Sequence, residues 1–560
     1  MSAGSFRRIA CGAALLMISA CGGGGSSASL PPSAPAPTPS QPTVDTMRLL
    51  QQATFGVTGA DATHVQSVGI NAYLTEQLNA PAAQYTGFSY SPHTAPTTCQ
   101  NHPATPTDAS SICARDQYSL FQVQRQFFMN ALTHQDQLRQ RVAFALSQIF
   151  VVSGIEIYEA YGMADYQNML LNDAFGNFRT LLEDVTLSPV MGHYLDMANN
   201  DKTNTTLGTS PNENYGREVL QLCSIGLYEL NPDGSQKLDG SGAPIPTYDQ
   251  AVVIGFSAIF TGWTYAPLAG AVSKWTNPIN YDGVMVPFDS HHETGSKTLL
   301  DGLVAPAAQT TTQDLKTALD DIFNHPNVGP FIGKQLIQHL VTSNPSPAYV
   351  ARVSAVFADN GNGVRGDMGA VVQAILTDTE ARGDVAAQTN SGHLREPALF
   401  ITAMLRELGG QSDGVLPRNA ISAMGQPIYT APSVFNFYPP SFVLPGSQTL
   451  APEFSINNAA TALARANFVN TVIVQGGAMP DPTVTASTGT SIDLSALAAI
   501  SDPNALIAQL NQTLMHGSLS SAASGAILSA INAQSQTDPL AAARTASYLL
   551  LTSAQYQVER

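Results

Sequence analysis

Along most of the chain, apolar residues recur at three- and four-residue spacing, the period of a helix with one buried face. Ile70, Tyr73, Leu74 and Leu78 form one such stripe, ending before Pro81, and Leu138, Val142, Ala145, Leu146 and Ile149 form another. The same period predicts helices over 115–132, 165–171, 178–186, 313–323 and 328–341, then over 347–357, 367–377 (with Asp367 as N-cap), 397–408 and 456–474. The rhythm breaks between 228 and 290, where Asn231-Pro232-Asp233-Gly234 and Asp239-Gly240-Ser241-Gly242 are turn sequences that predict a small hairpin. A polar Gly/Thr/Ser/Pro stretch over 476–491 predicts a long loop before a final helical pair at 503–515 and 539–556. The expected fold class is mainly α. A large multi-helix domain over 44–475 carries a small β-hairpin excursion around 228–290, and a loop with a C-terminal helical pair, 476–560, packs on it.

The first 43 residues obey a different pattern. Arg7-Arg8, an apolar run through Leu15-Leu16-Met17 and the ending Ile18-Ser19-Ala20-Cys21 make a secretory signal over 1–21. Its small-small-Cys close resembles the lipobox of bacterial lipoproteins, which implies lipid on Cys21 as the membrane attachment. An ordinary signal peptide, or a cytoplasmic start with a chance cysteine, is the plainer reading. Gly22-Gly23-Gly24-Gly25-Ser26-Ser27 buries nothing and the 31–42 stretch is rich in Pro, so 22–43 reads as a tether. Gly22 after the cysteine resembles sorting to the outer membrane, with the body on its periplasmic or surface face. No later apolar run approaches the ~18 residues of a membrane span.

Charge and cysteine content narrow the classes further. With 44% hydrophobic and 12% charged residues the chain is globular rather than disordered. A net charge of −17, with no Lys/Arg cluster beyond the signal, argues against a nucleic-acid partner. Cys99 and Cys113 flank a loop rich in Pro, Thr, Ser and Asp. In an oxidising compartment they form a disulfide worth ~3 kcal/mol, and otherwise they are two unpaired thiols. Cys223, within Val219-Leu220-Gln221-Leu222-Cys223-Ser224-Ile225, reads as a buried inert thiol.

Two segments offer chemistry. Ser210-Pro211-Asn212-Glu213 has the form of a capping box with Pro at the first helical position. On the helix it starts, Tyr215, Val219 and Leu222 face the core, while Asn214, Glu218 and Gln221 share the next stripe and Glu213 pairs with Arg217. Caps and ion pairs account for these letters. The sharper reading puts Glu218, with Asn214 as a binding residue, on the wall of a polar pocket as metal ligand or general base, approached through the gap at Gly216. The second segment, Asp289-Ser290-His291-His292-Glu293-Thr294-Gly295-Ser296-Lys297, holds donors for a divalent transition metal. One of His291 or His292 would join Glu218 as ligand, Lys297 and Arg217 would stabilise negative charge, and Trp263 would form an apolar wall. A self-solvating polar loop explains the same residues. Asp359-Asn360-Gly361-Asn362-Gly363 lacks the glutamate that a calcium loop needs, with Ala370 in its place. Nucleophile-elbow, phosphate-loop, haem-attachment and His-Glu-x-x-His zinc motifs are missing.

Several phrases together resemble a bacterial family, the domain of unknown function numbered 1800. They are Leu49-Leu50-Gln51-Gln52-Ala53-Thr54-Phe55-Gly56, Phe175-Gly176-Asn177-Phe178-Arg179, Asn212-Glu213-Asn214-Tyr215-Gly216-Arg217-Glu218, Phe260-Thr261-Gly262-Trp263 and the loop from His291 to Lys297. Leu394-Arg395-Glu396-Pro397, Ala431-Pro432-Ser433-Val434-Phe435-Asn436-Phe437-Tyr438 and Ser553-Ala554-Gln555-Tyr556-Gln557 continue the series. The resemblance implies an exported protein with no assigned reaction, often encoded beside an exported sulfatase-like protein, and so a partnership with one. Gly216 stands where Ala is commoner, Cys223 where an aromatic or His is usual, and Glu293 where Asp is typical. The expectation is an anchored binding or assembly partner for another exported protein. The alternative is a metal-assisted extracytoplasmic enzyme using Glu218 and His291 or His292.

Overall fold

Helix Pro397–Glu407 is apolar on nearly every face, and all 11 of its residues are buried. A helix of that kind must be wrapped by others. Helices Phe121–Thr133, Val415–Ala423 and Pro503–Met515 pack against it. The loop after helix Val44–Ala53 lies on it so closely that a Cβ on Gly56 would stand 2.6 Å from Ala403 Cα, and Gly56 has φ +140°. Arg406, from the last turn, closes the contact by donating to Gly56 O at 2.8 Å and pairing with Asp61 at 2.9 Å. The Thr-Phe-Gly phrase is therefore a docking loop for the central helix.

This computed structural model describes residues 43–100, 107–383, 391–534 and 538–559. The expected signal, Cys21 and nearly all of the tether lie outside the described residues. Residues 42–560 form one compact unit. Gln137–Ile149 packs on Ala160–Asp173 and on Val328–Leu340, which in turn packs on Pro347–Ala358 and Met368–Thr377. Among the described residues, the strands form two-stranded antiparallel pairs, Trp263–Thr264 with Val286–Pro287, Lys297–Thr298 with Val304–Ala305, His393–Leu394 with Val558–Glu559, and Gln411–Ser412 with Thr490–Ser491, and isolated bridges such as Tyr228↔Pro246 and Leu238↔Pro244 make a hairpin over 228–247. The fold is mainly α, as expected. The third pair, in register His393↔Glu559, fastens the end of the chain beside the start of the central helix. Among the described residues no helix is long and apolar enough to cross a membrane.

Local chemistry explains where the expected boundaries hold and where they move. Asp367 caps helix Met368–Thr377 by accepting from Ala370 N, as its position suggests. Both turn sequences close turns, with Gly234 N donating to Asn231 O and Gly242 N to Asp239 O. The stretch expected as one helix over 115–132 is two, Ala109–Gln117 and Phe121–Thr133. Ser119 sits in the break, its hydroxyl donating back to Arg115 O and accepting from Phe121 N. Within 228–290 lies a buried helix, Gln250–Ile259, capped by Asp249. The C-terminal pair contains a further helix, Ser521–Asn532, whose Ala, Ser and Gly content leaves little more than Ile527 and Ile531 to bury.

The Gly56 contact yields a direct stability test. Gly56→Ala adds a Cβ against backbone at a φ that L-residues rarely adopt, and the expected cost is about 2–4 kcal/mol by denaturant unfolding. An unchanged midpoint would show that the loop does not lie on the central helix.

Candidate functional site

The residues singled out from the sequence sit on two elements, helix Asn214–Gln221 and the loop from Asp289 to Lys297, both of which contact the segment 196–203. Helix Asn214–Gln221 begins later than the capping box suggests: Glu213 is the N-cap residue without a side-chain cap, and Asn212 Oδ1 accepts from Asn214 N at 2.8 Å. Asn214 donates to Asp196 at 3.2 Å, and Arg217 pairs with Glu213 at 2.7 Å and reaches Gln250. What approaches Gly216 is backbone: a Cβ there would lie 3.1 Å from Ser257 N on the neighbouring helix. Glu218 is half-buried and its Oε2 has no hydrogen-bond partner. Burial raises its pKa, against the pull of Arg217.

The histidine loop folds inward. His292 is fully buried, with Nε2 2.8 Å from Asp314 and Nδ1 2.9 Å from Thr261 O, so both nitrogens are occupied. Lys297 meets the same carboxylate at 2.5 Å and donates to Gly295 O. Asp314 thus locks this loop to helix Thr311–Asn324. His291 stacks on Trp275, with ring centres 4.1 Å apart, and its Nδ1 is 3.0 Å from Asp201. Trp263 is core. Cys99 and Cys113 are joined as a disulfide, with Cα atoms 5.0 Å apart, and Cys223 is buried and free, its thiol pushed up to about 12 by burial and then by Glu218. Among the described residues, the one set of three carboxylate or imidazole groups close enough to share an ion is Glu229, Asp301 and His325. Glu218, His291 and His292 take no part in it.

A different set of titratable groups converges at the start of the central helix. Arg395 is buried, its Nη1 donating to Tyr556 O at 2.7 Å and its guanidinium lying 4.3 Å from the Tyr556 ring centre. Glu407 and Glu559 each approach it at 3.7 Å. Tyr556 donates its hydroxyl to Glu407 at 2.9 Å. Burial lifts the Glu407 carboxyl to about 7 despite Arg395 and that hydrogen bond. Burial also opposes a charge on His393, yet Glu453 at 3.5 Å and Glu559 at 3.6 Å overrule it and push the ring up to about 10. Glu396, which follows Arg395, accepts from Tyr438 at 2.7 Å, from Gln148 at 3.2 Å and from Gln426.

A cavity of about 10 Å³ lies beside Glu407 and Glu559, and two more flank this centre, separated by size. The one beside Glu453, Tyr438 and Asn436 holds about 80 Å³, room for a few waters. The other is a cleft of about 540 Å³, within the range of small-molecule sites. Val44, Met47, Arg48 and Gln51 form one wall, Leu514 to His516 and Ala554 to Tyr556 the other, and Arg395 lies in the floor. None of its described lining residues is acidic, in a chain of net charge −17. His516 ends helix Pro503–Met515 in a left-handed conformation, φ +51°. Neither ring nitrogen has a hydrogen-bond partner, and Glu407 is 3.9 Å away. Burial first, then Arg395, lowers its pKa to about 4. The cleft therefore offers a buried cation, a neutral imidazole with free polar positions, and apolar walls.

Arg395, Tyr556 and His516 carried no chemical motif in the sequence. The readable signal was placement: an Arg-Glu pair directly before Pro397 and a wholly apolar run, where charges have no path to water. A protein-family model described as a protein of unknown function (DUF1800) matches residues 48–558. No curated protein and no solved structure matches the chain.

Two outcomes follow from this geometry. Removing Asp314 by Asp314→Ala strands Lys297 and His292 in the core and costs about 3–5 kcal/mol; Glu218→Gln, which replaces an unpartnered carboxylate, does not lower the unfolding midpoint. For His516, the folded pKa lies below the unfolded value of 6.5, so the unfolded chain takes up the proton first and stability falls between pH 6.5 and 4. His516→Gln flattens that part of the melting-temperature profile, and an identical acid slope in the variant would contradict the burial of His516.

Proposed function

The chain belongs to this family of unknown function, so its role has to be read from its own site, and we propose that it is an envelope-anchored binding protein. The single observation that supports this reading is the cleft over Arg395. It combines apolar walls with a histidine and two arginines, whose own carboxylate partners (Asp45 for Arg48, Glu407 and Glu559 for Arg395) are not among the described lining residues. That donor set suits a ligand with an anionic head and an apolar body, because a guanidinium recognises carboxylate, sulfate and phosphate oxygens alike. The wall helix Val44–Ala53 directly follows the expected tether, so a lipid on Cys21 would hold the cleft at the cell envelope, at the outer membrane by the Gly22 reading. In that setting the protein serves another exported protein, a sulfatase-like one by the family resemblance, by holding a shared anionic ligand or an anionic group of the partner itself. With both His292 nitrogens engaged, no observation favours the metal-assisted enzyme built on Glu218 and the histidine loop.

The test uses the full chain with octyl sulfate, octyl phosphate and octanoate below their micelle-forming concentrations, and octyl glucoside as the uncharged control. Calorimetry should show saturable binding of at least one anion and none of the glucoside. Arg48→Gln and His516→Gln should each weaken it about tenfold with the fold intact by circular dichroism. Equal binding of the uncharged control, or unchanged binding in both variants, would defeat the proposal.

A further inference from the structure

Away from the cleft, three segments distant in sequence bring Glu229, Asp301 and His325 together, one ligand atom from each lying within 4.8 Å of the others. Glu229 belongs to the first limb of the 228–247 hairpin, Asp301 to the turn before Val304–Ala305, and His325 ends helix Thr311–Asn324. The His325 side chain is 1% exposed and its Nε2 makes no hydrogen bond, facing Glu229 Oε1 at 3.4 Å. With Nδ1 accepting from Asn327 N, the Nε2–H faces Glu229 Oε1 in a contact too poorly aligned for a hydrogen bond, so this buried pair is only partly satisfied. Asp301 is exposed and gives access from solvent.

We propose that Glu229, Asp301 and His325 form a divalent-metal site, selective for zinc, that clamps the hairpin to the end of helix Thr311–Asn324. One imidazole and two carboxylates are a borderline donor set that suits zinc. Calcium prefers six to eight oxygens, which this site does not supply. Three protein ligands leave a fourth position for water. Two existing contacts must yield on loading. Asn327 N donates to His325 Nδ1 at 3.2 Å, and an imidazole bound through Nε2 carries its proton on Nδ1. Lys237 holds Glu229 Oε2 at 3.1 Å. These competing interactions weaken the affinity.

The experiment titrates the chelator-stripped full chain with zinc chloride, and separately with calcium chloride, by calorimetry and thermal melting. Zinc should bind one ion per chain and raise the melting temperature. Asp301→Asn, at an exposed position, should weaken binding at least tenfold without moving the melting temperature of the stripped protein, and Lys237→Gln should tighten it severalfold. Zinc binding that is absent, that persists unchanged in Asp301→Asn, or that is matched by calcium would overturn the site. Persistence in Asp301→Asn would assign the ion to exposed imidazole–carboxylate pairs such as His64 with Glu76.

Discussion

Arg395 is a cation that the fold keeps from water, and its neighbours are arranged around that constraint. A buried guanidinium without partners would cost several kcal/mol, so every group it meets must return charge or a carbonyl. Glu407 comes from the end of the helix that Arg395 precedes, and Glu559 from the last strand. Tyr556 supplies both its carbonyl and its ring face. Because Glu559 also faces His393, and His393 also faces Glu453, the same ion network joins the strand before the central helix, the C-terminal strand and the turn at Pro452–Ile456. Residues 556–559 are therefore part of the core, and removing Glu559 would take one carboxylate from Arg395 and one from His393 together.

A second lock works on the same principle at smaller scale. Asp314 gathers Lys297 and His292 from one loop, and Asn327 donates to Ile225 O and Tyr228 O while accepting from Leu230 N. These contacts hold the excursion against the helical body. They also explain why the loop from Asp289 to Lys297 looks chemically rich: its polar residues meet desolvated partners inside the protein. Two buried imidazoles that keep a ring nitrogen without a hydrogen bond, His516 and His325, lie elsewhere.

Much of the fold was legible because helical burial leaves a periodic trace. The Leu138 to Ile149 stripe is wholly buried on helix Gln137–Ile149, and Asp367 caps where its position suggests. What escaped were features the period does not encode. Ser521–Asn532 has too few large apolar residues to show a stripe, and the Ser119 break depends on a side chain capturing backbone groups. The candidate site was less legible still. Glu218 and His292 have the right letters for a metal, yet His292 is spent on Asp314 and Thr261. The cleft is assembled from residues 48, 395, 516 and 556, whose meeting is decided by the pairing of His393–Leu394 with Val558–Glu559. No local spacing records that pairing.

Buried charges, not apolar packing alone, hold the central helix and the floor of the cleft. The most direct test is an NMR titration of the His393 ring in the intact protein. With Glu453 and Glu559 on either side, the account predicts an imidazolium that keeps both protons through pH 9. A ring that loses its proton near pH 6.5 would mean that the carboxylates do not enclose it, and the charged centre described here would not exist.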